Sequence, residues 1–398
     1  MRRLLTFALF AALAATLLPA QSSSGGPYQV LKKANVGGEG GWDYIFADSA
    51  GRRLYIPRGA TQARPATDAS PAVPASENRI TVFDLDTLAP VGEIPDTGGN
   101  GVAVCPGTGH GFASSHPQVS MFDTTTLKLI KKIDVGDARP DGIYCDTYND
   151  RIYVFSHPTH NATVIDAKTG DVVGTVDLGG TPEEGVADGK GTLYVVMQDR
   201  PGSVAVVDVK TMKTTTHYPF GENGGCNGLA LDVKNHVLFA ACSAKGPAPA
   251  RGQRGEGPPQ AMAQPSGPPP QTMVILDARD GKILDKLPIA GSSDGAVFNP
   301  ATMEAFSTQG DGTLTIVKEN SPTSFAVEQN LDTMNGARTI TLDHKTNHIF
   351  TMSQTFVPAP PPPPPVAGAP AAAPGRFGGR GPRRMAEPGS FTILVIGK

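Results

Sequence analysis

The sequence predicts an all-β fold, a seven-bladed β-propeller of four-stranded antiparallel blades, and three observations carry the prediction. First, residues 141–183 (DGIYCDTYNDRIYVFSHPTHNATVIDAKTGDVVGTVDLGGTPE) alternate four short apolar runs, GIYC, RIYVFS, ATVID and VVGTVDL, with the turn-forming clusters TYND, PTHN and KTG. Short alternating runs bounded by Asn, Asp, Gly and Pro mark an antiparallel meander. Second, the pattern occurs seven times. Its innermost strand, strand a, opens at Asp43, Asn100, Asp141, Glu184, Asn227, Asp294 and Arg338, at intervals of 57, 41, 43, 43, 67 and 44 residues. A period in the low forties is that of a four-stranded blade. Third, 47 glycines and 37 prolines in 398 residues argue against long helices, because glycine costs about 1 kcal/mol and proline about 3 kcal/mol in a helix interior.

Taken in order, the chain begins with Arg2-Arg3, an apolar run from Leu4 to Leu18 and the small residue Ala20. That is the layout of a secretory signal peptide over residues 1–20. The run is shorter than the ~20 residues a spanning helix needs. The mature chain, 21–398, is therefore expected to be periplasmic or secreted, monomeric and without a membrane span. Within each copy, strand a closes on a polar residue (Asp48, Asp146, Asp232, Asn299, Asp343), and strand b opens on a hydrophobic-aromatic pair such as Ile152-Tyr153 or Leu238-Phe239. Strand c ends in aspartate at Asp84, Asp123, Asp166, Asp208 and Asp277. An aspartate there accepts from backbone N–H groups two residues on, so these positions read as turn chemistry.

The seventh copy stops after strand c (FTILVIG). The stretch YQVLKKANV at residues 28–36 resembles other d strands such as LIKKIDV and supplies the missing outer strand. Pairing the two ends closes the ring and removes an open sheet edge. Three insertions rich in Pro, Ala and Gly, at 59–76, 244–271 and 357–389, each fall between strands b and c. Their low apolar content predicts disordered arms, with polyproline II character around Pro358 to Pro365.

In an antiparallel meander the start of strand a, the end of strand b and the start of strand c share one edge. All three arms therefore rise from the face that holds the mouth of the central channel. Seven polar openings ring that mouth, and the ends of strand b add His116, His157, Gln198, Ser243 and Gln354. Counting back from an Asp146–Arg151 pair sets Asp141 opposite Ser156 and beside His157. A carboxylate beside an imidazole suits acid–base work or part of a metal site. Oxygen donors with an occasional imidazole favour calcium or magnesium over structural zinc. Trp42, the single tryptophan, reads as a packed residue or a stacking platform at the rim. The pairs D-G, N-G and E-G at the openings read as turn chemistry.

Charge excludes one class of partner. Without Arg2 and Arg3 the net charge moves from −3 to −5, which is no nucleic-acid footprint. The second and third arms together carry +5, leaving about −10 on the remaining body; the arms are basic and the body acidic. The stretch GRFGGRGPRR in the third arm has the look of an RGG segment, read here as solvated low complexity. Four cysteines in an exported chain allow three disulfide pairings. Register in blade five sets Cys226 near Cys242, and Cys105 and Cys145 end neighbouring inner strands, so 226–242 and 105–145 are preferred. Walker A and GxGxxG signatures are missing.

The segments RIYVFSHPTHNATVIDAKTGDVVGTVDLGGTPEEGVA and TLYVVMQDRPGSVAVVDVKT resemble the YVTN-repeat, YncE-like propellers of bacteria. That resemblance implies an exported seven-bladed ring and specifies blades rather than a site. IDAKTGD is similar to the repeat of quinoprotein dehydrogenases, but one tryptophan cannot supply their docking tryptophans, so PQQ is not expected. Streptogramin-lyase and lactonase propellers bind metal through Glu, Asn, Asp and His at the channel mouth, and residues of those types stand here without a longer motif. Two readings follow: a non-catalytic binding or scaffold protein holding a protein or small-molecule ligand at the mouth, and a metal-dependent lyase or lactone hydrolase acting there. One fold hosts both.

Overall fold

The computed structural model describes residues 25–66, 72–136, 138–242, 271–358 and 384–398. The N-terminal stretch 1–20, Ser243 with the rest of 243–270, and residues 359–383 lie outside the described residues. Among the described residues no helix is long and apolar enough to cross a membrane.

Seven four-stranded antiparallel sheets form the ring. Blade 3 runs outward through Pro140–Asp146, Arg151–Ser156, Asn161–Asp166 and Val172–Asp177, and blades 1, 2, 4, 5 and 6 keep the same a-b-c-d order. Blade 7 joins the two ends of the chain. Its strands Thr341–Asp343, His348–Ser353 and Thr392–Gly397 are completed by Gln29–Asn35, paired from Gln29↔Gly397 to Asn35↔Thr392. Tyr28 tightens this closure through Gln329, whose amide accepts from Tyr28 N at 3.0 Å and donates to Tyr28 O at 2.9 Å.

Burial explains the strand chemistry. Strand b of blade 3 is buried from Ile152 through Ser156, whereas strand d is largely exposed. Inner strands have a neighbouring blade on both faces, so they carry near-continuous apolar runs. Seven hydrophobic clusters result, each filling the seam between two adjacent blades. The aspartates ending strands a and c act as turn formers. Asp146 Oδ1 accepts from Tyr148 N at 3.1 Å, and Asp166 Oδ1 accepts from Lys168 N and Thr169 N at 2.9 Å each.

All three insertions join strand b to strand c. At the bases of the first and third insertions the described residues are paired rather than disordered, and the second insertion, up to residue 270, lies outside the described residues. Thr61 pairs with Ser76 and Arg64 with Val73, whose side chain is buried, and Phe356–Pro358 pairs with Arg384–Ala386. The reason is local: at the first insertion the b–c register continues past Arg58 and Arg79, and at the third a separate two-stranded sheet forms, each satisfying backbone groups that a loop would leave to water. Both disulfides, Cys105–Cys145 and Cys226–Cys242, are made; the second joins residues directly opposite in the ladder.

Candidate functional site

The seven inner strands enclose a channel of about 570 Å³. Its wall is largely backbone and apolar side chains such as Val104, Ile143, Leu229 and Phe298. Polar groups gather at one end. The device that gathers them is a register shift: in blades 3 to 6 the a–b ladder slips at Asp141-Gly142, Glu183-Glu184, Asn227 and Asp294. A bulge leaves a residue unpaired and re-aims its side chain. Pro140, not Asp141, therefore pairs with Ser156, which corrects the register counted from the sequence.

The glycines at these openings also need a different account from turn chemistry. Gly142, Gly185 and Gly228 do not have positive φ. A Cβ on Gly142 would lie 2.4 Å from Glu183 O, and one on Gly185 would lie 2.5 Å from the Phe155 ring. Glycine is required because the backbone of one blade presses on the next.

Glu183 is the centre of the mouth, and the sequence reading missed it. Its side chain is 9% exposed. Glu183 Oε1 accepts from Tyr44 O–H at 2.7 Å, and Oε2 accepts from Gln198 Nε2 at 2.6 Å and lies 2.7 Å from His157 Nε2. His157 Nε2 is also 3.2 Å from Asp141 Oδ2. From Gln198 the network continues to Asn227 Oδ1 at 3.3 Å, from Asn227 Nδ2 to Asp294 Oδ1 at 3.3 Å, and on to Arg338, whose Nε is 3.1 Å from Asp294 Oδ2. Six blades thus contribute to one belt.

Burial and like charge push the carboxyls up. Asp141 is raised to about 6 by burial and then by Glu183, with His157 pulling the other way. Glu184 is raised to about 8 by burial; its Oε2 accepts from Leu229 N at 2.7 Å and Ala296 N at 3.3 Å, tying blade 4 to blades 5 and 6. Asp43 is raised well above the carboxylate range by burial and by Asp294. His157 is raised, first by its hydrogen bond to Glu183. One donor atom each from Asp141, His157 and Glu183 lie within 4.8 Å of one another, a spacing that fits a metal ion.

The structure brings together Asp43, Asp141, His157, Glu184, Gln198, Asn227, Asp294 and Arg338. Asn100 lies next to them and donates from Nδ2 to Pro140 O at 2.7 Å. Three residues stand apart. Trp42 is buried edge-on against Phe391, at 4.9 Å between ring centroids, as a core residue of the blade 7–blade 1 seam. His116 is exposed on the b–c turn of blade 2, and Gln354 is half-buried after strand b of blade 7. Tyr44 and Glu183 escaped notice because strict alternation assigns one of any two neighbours to the far side. The Glu-Glu doublet after Pro182 is the signal that would have suggested a bulge.

No family model matches the chain, and no curated protein does. Solved structures do. The chain is similar to one in the structure of Kuenenia stuttgartiensis hydrazine synthase, at 14% identity and a TM-score of 0.61 over 86% of this chain and 96% of that one. It is also similar to U3-55K, at 9% identity and a TM-score of 0.61 over 92% and 98%. Likeness at such identity shows the fold, the seven-bladed β-propeller, and nothing of the site.

Proposed function

We propose that this protein is an exported, non-enzymatic binding propeller of the YVTN-repeat, YncE-like kind, holding its ligand at the channel mouth through a divalent cation. Asp141, His157 and Glu183 are the protein's share of the coordination. The observation that carries the reading is the convergence of these three donors, from two different blades, on one point. Asp43 and Asp294 add further carboxyls around it, while Tyr44 and Gln198 orient Glu183 as outer partners of a metal ligand do. Carboxylate oxygens suit calcium, magnesium or manganese, and three protein donors leave further positions for oxygens of the ligand. Export is supported by the N-terminal Arg2-Arg3 and apolar run and by two disulfides, which persist in oxidising compartments.

Calorimetric titration of the metal-free protein with calcium, magnesium, manganese and zinc tests this. A saturable heat with one of the first three, lost in Asp141→Asn, is expected; no heat with any cation overturns the reading. A second reading, a metal-dependent lyase or lactone hydrolase, is favoured by Asp43, a carboxyl near the cation site whose pKa is raised well above the usual range by burial and by Asp294, the direction that suits a general acid. Turnover of a lactone by the cation-loaded protein, lost in Asp43→Asn while the cation heat is kept, would replace the binding reading with the enzymatic one.

A further inference from the structure

A second polar site lies away from the channel, at the base of the first arm. Arg58 ends strand b of blade 1 and Arg79 begins strand c, and the ladder pairs them directly. Like charges opposite one another in a sheet repel. Arg79 is committed. It donates from Nη2 to Glu39 O at 3.0 Å and from Nη1 to Ser76 Oγ at 3.2 Å, and it lies 3.5 Å from the largely exposed Glu93 carboxylate.

Arg58 is different. It is 1% exposed, and its Nε and Nη2 have no hydrogen-bond partner among the described residues. Phe391 covers the guanidinium face, with Cζ 3.6 Å from the ring centroid. That contact satisfies the face of the cation and leaves Nε–H and Nη2–H bare. Burial, then Arg79, lower its pKa only to about 10, so the group remains charged at neutral pH.

Both arginines line a cavity of about 170 Å³ whose other walls include Val36, Gly38, Phe83 and Pro90. Nε–H and Nη2–H form the parallel pair on one edge of a guanidinium, the fork that takes a carboxylate bidentately. An engineered cavity of about 150 Å³ holds benzene, so this one has room for a carboxylate and a few carbons. We propose that this cavity is a binding site for a small aliphatic carboxylate, which on entering shifts the Arg58 side chain so that the edge closed to water in the empty cavity takes its two oxygens, with its tail against Val36, Phe83 and Pro90.

The test is a titration of the full-length protein with butyrate, with butanol, phosphate and chloride as controls at constant ionic strength, read by melting temperature, calorimetry and the Arg58 Nε–H resonance. Butyrate is expected to raise the melting temperature, release heat and shift that resonance, with the controls weaker. Arg58→Lys keeps the charge and loses the fork, so its affinity should fall about tenfold or more. Arg58→Met should lose binding while keeping the cation heat of the channel mouth, which separates this site from that one. Equal stabilisation of wild type and both variants by butyrate overturns the proposal. So does phosphate or chloride acting as strongly as butyrate, or an unmoved Arg58 resonance.

Discussion

At the channel mouth Asp43, Asp141, Glu183, Glu184 and Asp294 crowd together, whereas at the base of the first arm two arginines do, and the two crowds relieve their repulsion differently. The carboxyls are interleaved with neutral donors from Tyr44, Gln198 and Asn227, and Asp141 and Glu184 hold protons up to about 6 and about 8. A cation arriving there takes the place of protons. Arg58 has no such recourse, since its guanidinium stays charged far above neutral pH. A crowd of carboxyls adapts to an empty site by binding protons; a buried guanidinium calls for an anion. This difference separates a mouth whose affinity depends on pH from a cavity whose affinity, near neutrality, does not.

The comparison can be broken most decisively at Glu183. Replacing it with Gln keeps the size but removes the charge that His157, Tyr44 and Gln198 share, and cation affinity is expected to fall roughly 100-fold by calorimetry. Butyrate binding should be untouched. At the other site, Arg58→Met removes a buried charge with no paired anion, so in carboxylate-free buffer it is expected to stabilise the protein by about 1 to 2 kcal/mol in urea unfolding. A loss of stability would mean that the Phe391 contact outweighs desolvation.

The pH dependence sharpens the contrast. Glu184 titrates near 4.5 unfolded and about 8 folded, so between those values the folded protein binds more protons than the unfolded chain. The contribution of Glu184 to the stability of the cation-free protein should therefore be greatest below about 4.5, fall as pH rises and level off above about 8. Asp141 adds a fall that ends near 6. Glu184→Gln keeps an acceptor for Leu229 N and Ala296 N and should flatten the part of the curve between pH 6 and 8, measured by melting temperature across that range. The smallest effect is expected for Tyr44→Phe, which removes one hydrogen bond to Glu183 at 2.7 Å and should weaken cation binding by about 1 kcal/mol. Full wild-type affinity in that variant would show that Tyr44 does not orient the ligand.

Much of the ring was legible without coordinates, because its signals are short-range. The aspartates of the a–b and c–d turns, the aromatic pair opening strand b and the outer strand at residues 28–36 all follow from chemistry within one blade. The site was legible only in part. Asp141 and His157 adjoin in one hairpin and were found. Glu183 was missed because a bulge, not alternation, decides where it points, and of the two roles read for Trp42, packed residue or rim platform, the structure shows the packed one. Arg58 and Arg79 drew no attention, since nothing in their separate neighbourhoods shows that one is buried without a partner.

The sequence by itself determined the blade, the number of blades and the closure of the ring, because turn chemistry and alternation act over about forty residues and repeat. Only the tertiary structure decided which polar groups meet. Tyr44 and Glu183 are separated by 139 positions, and Asn227 and Asp294 by 67. What brings them together is the curvature of seven packed blades, the glycines that let neighbouring backbones touch, and the bulges that turn side chains toward one mouth.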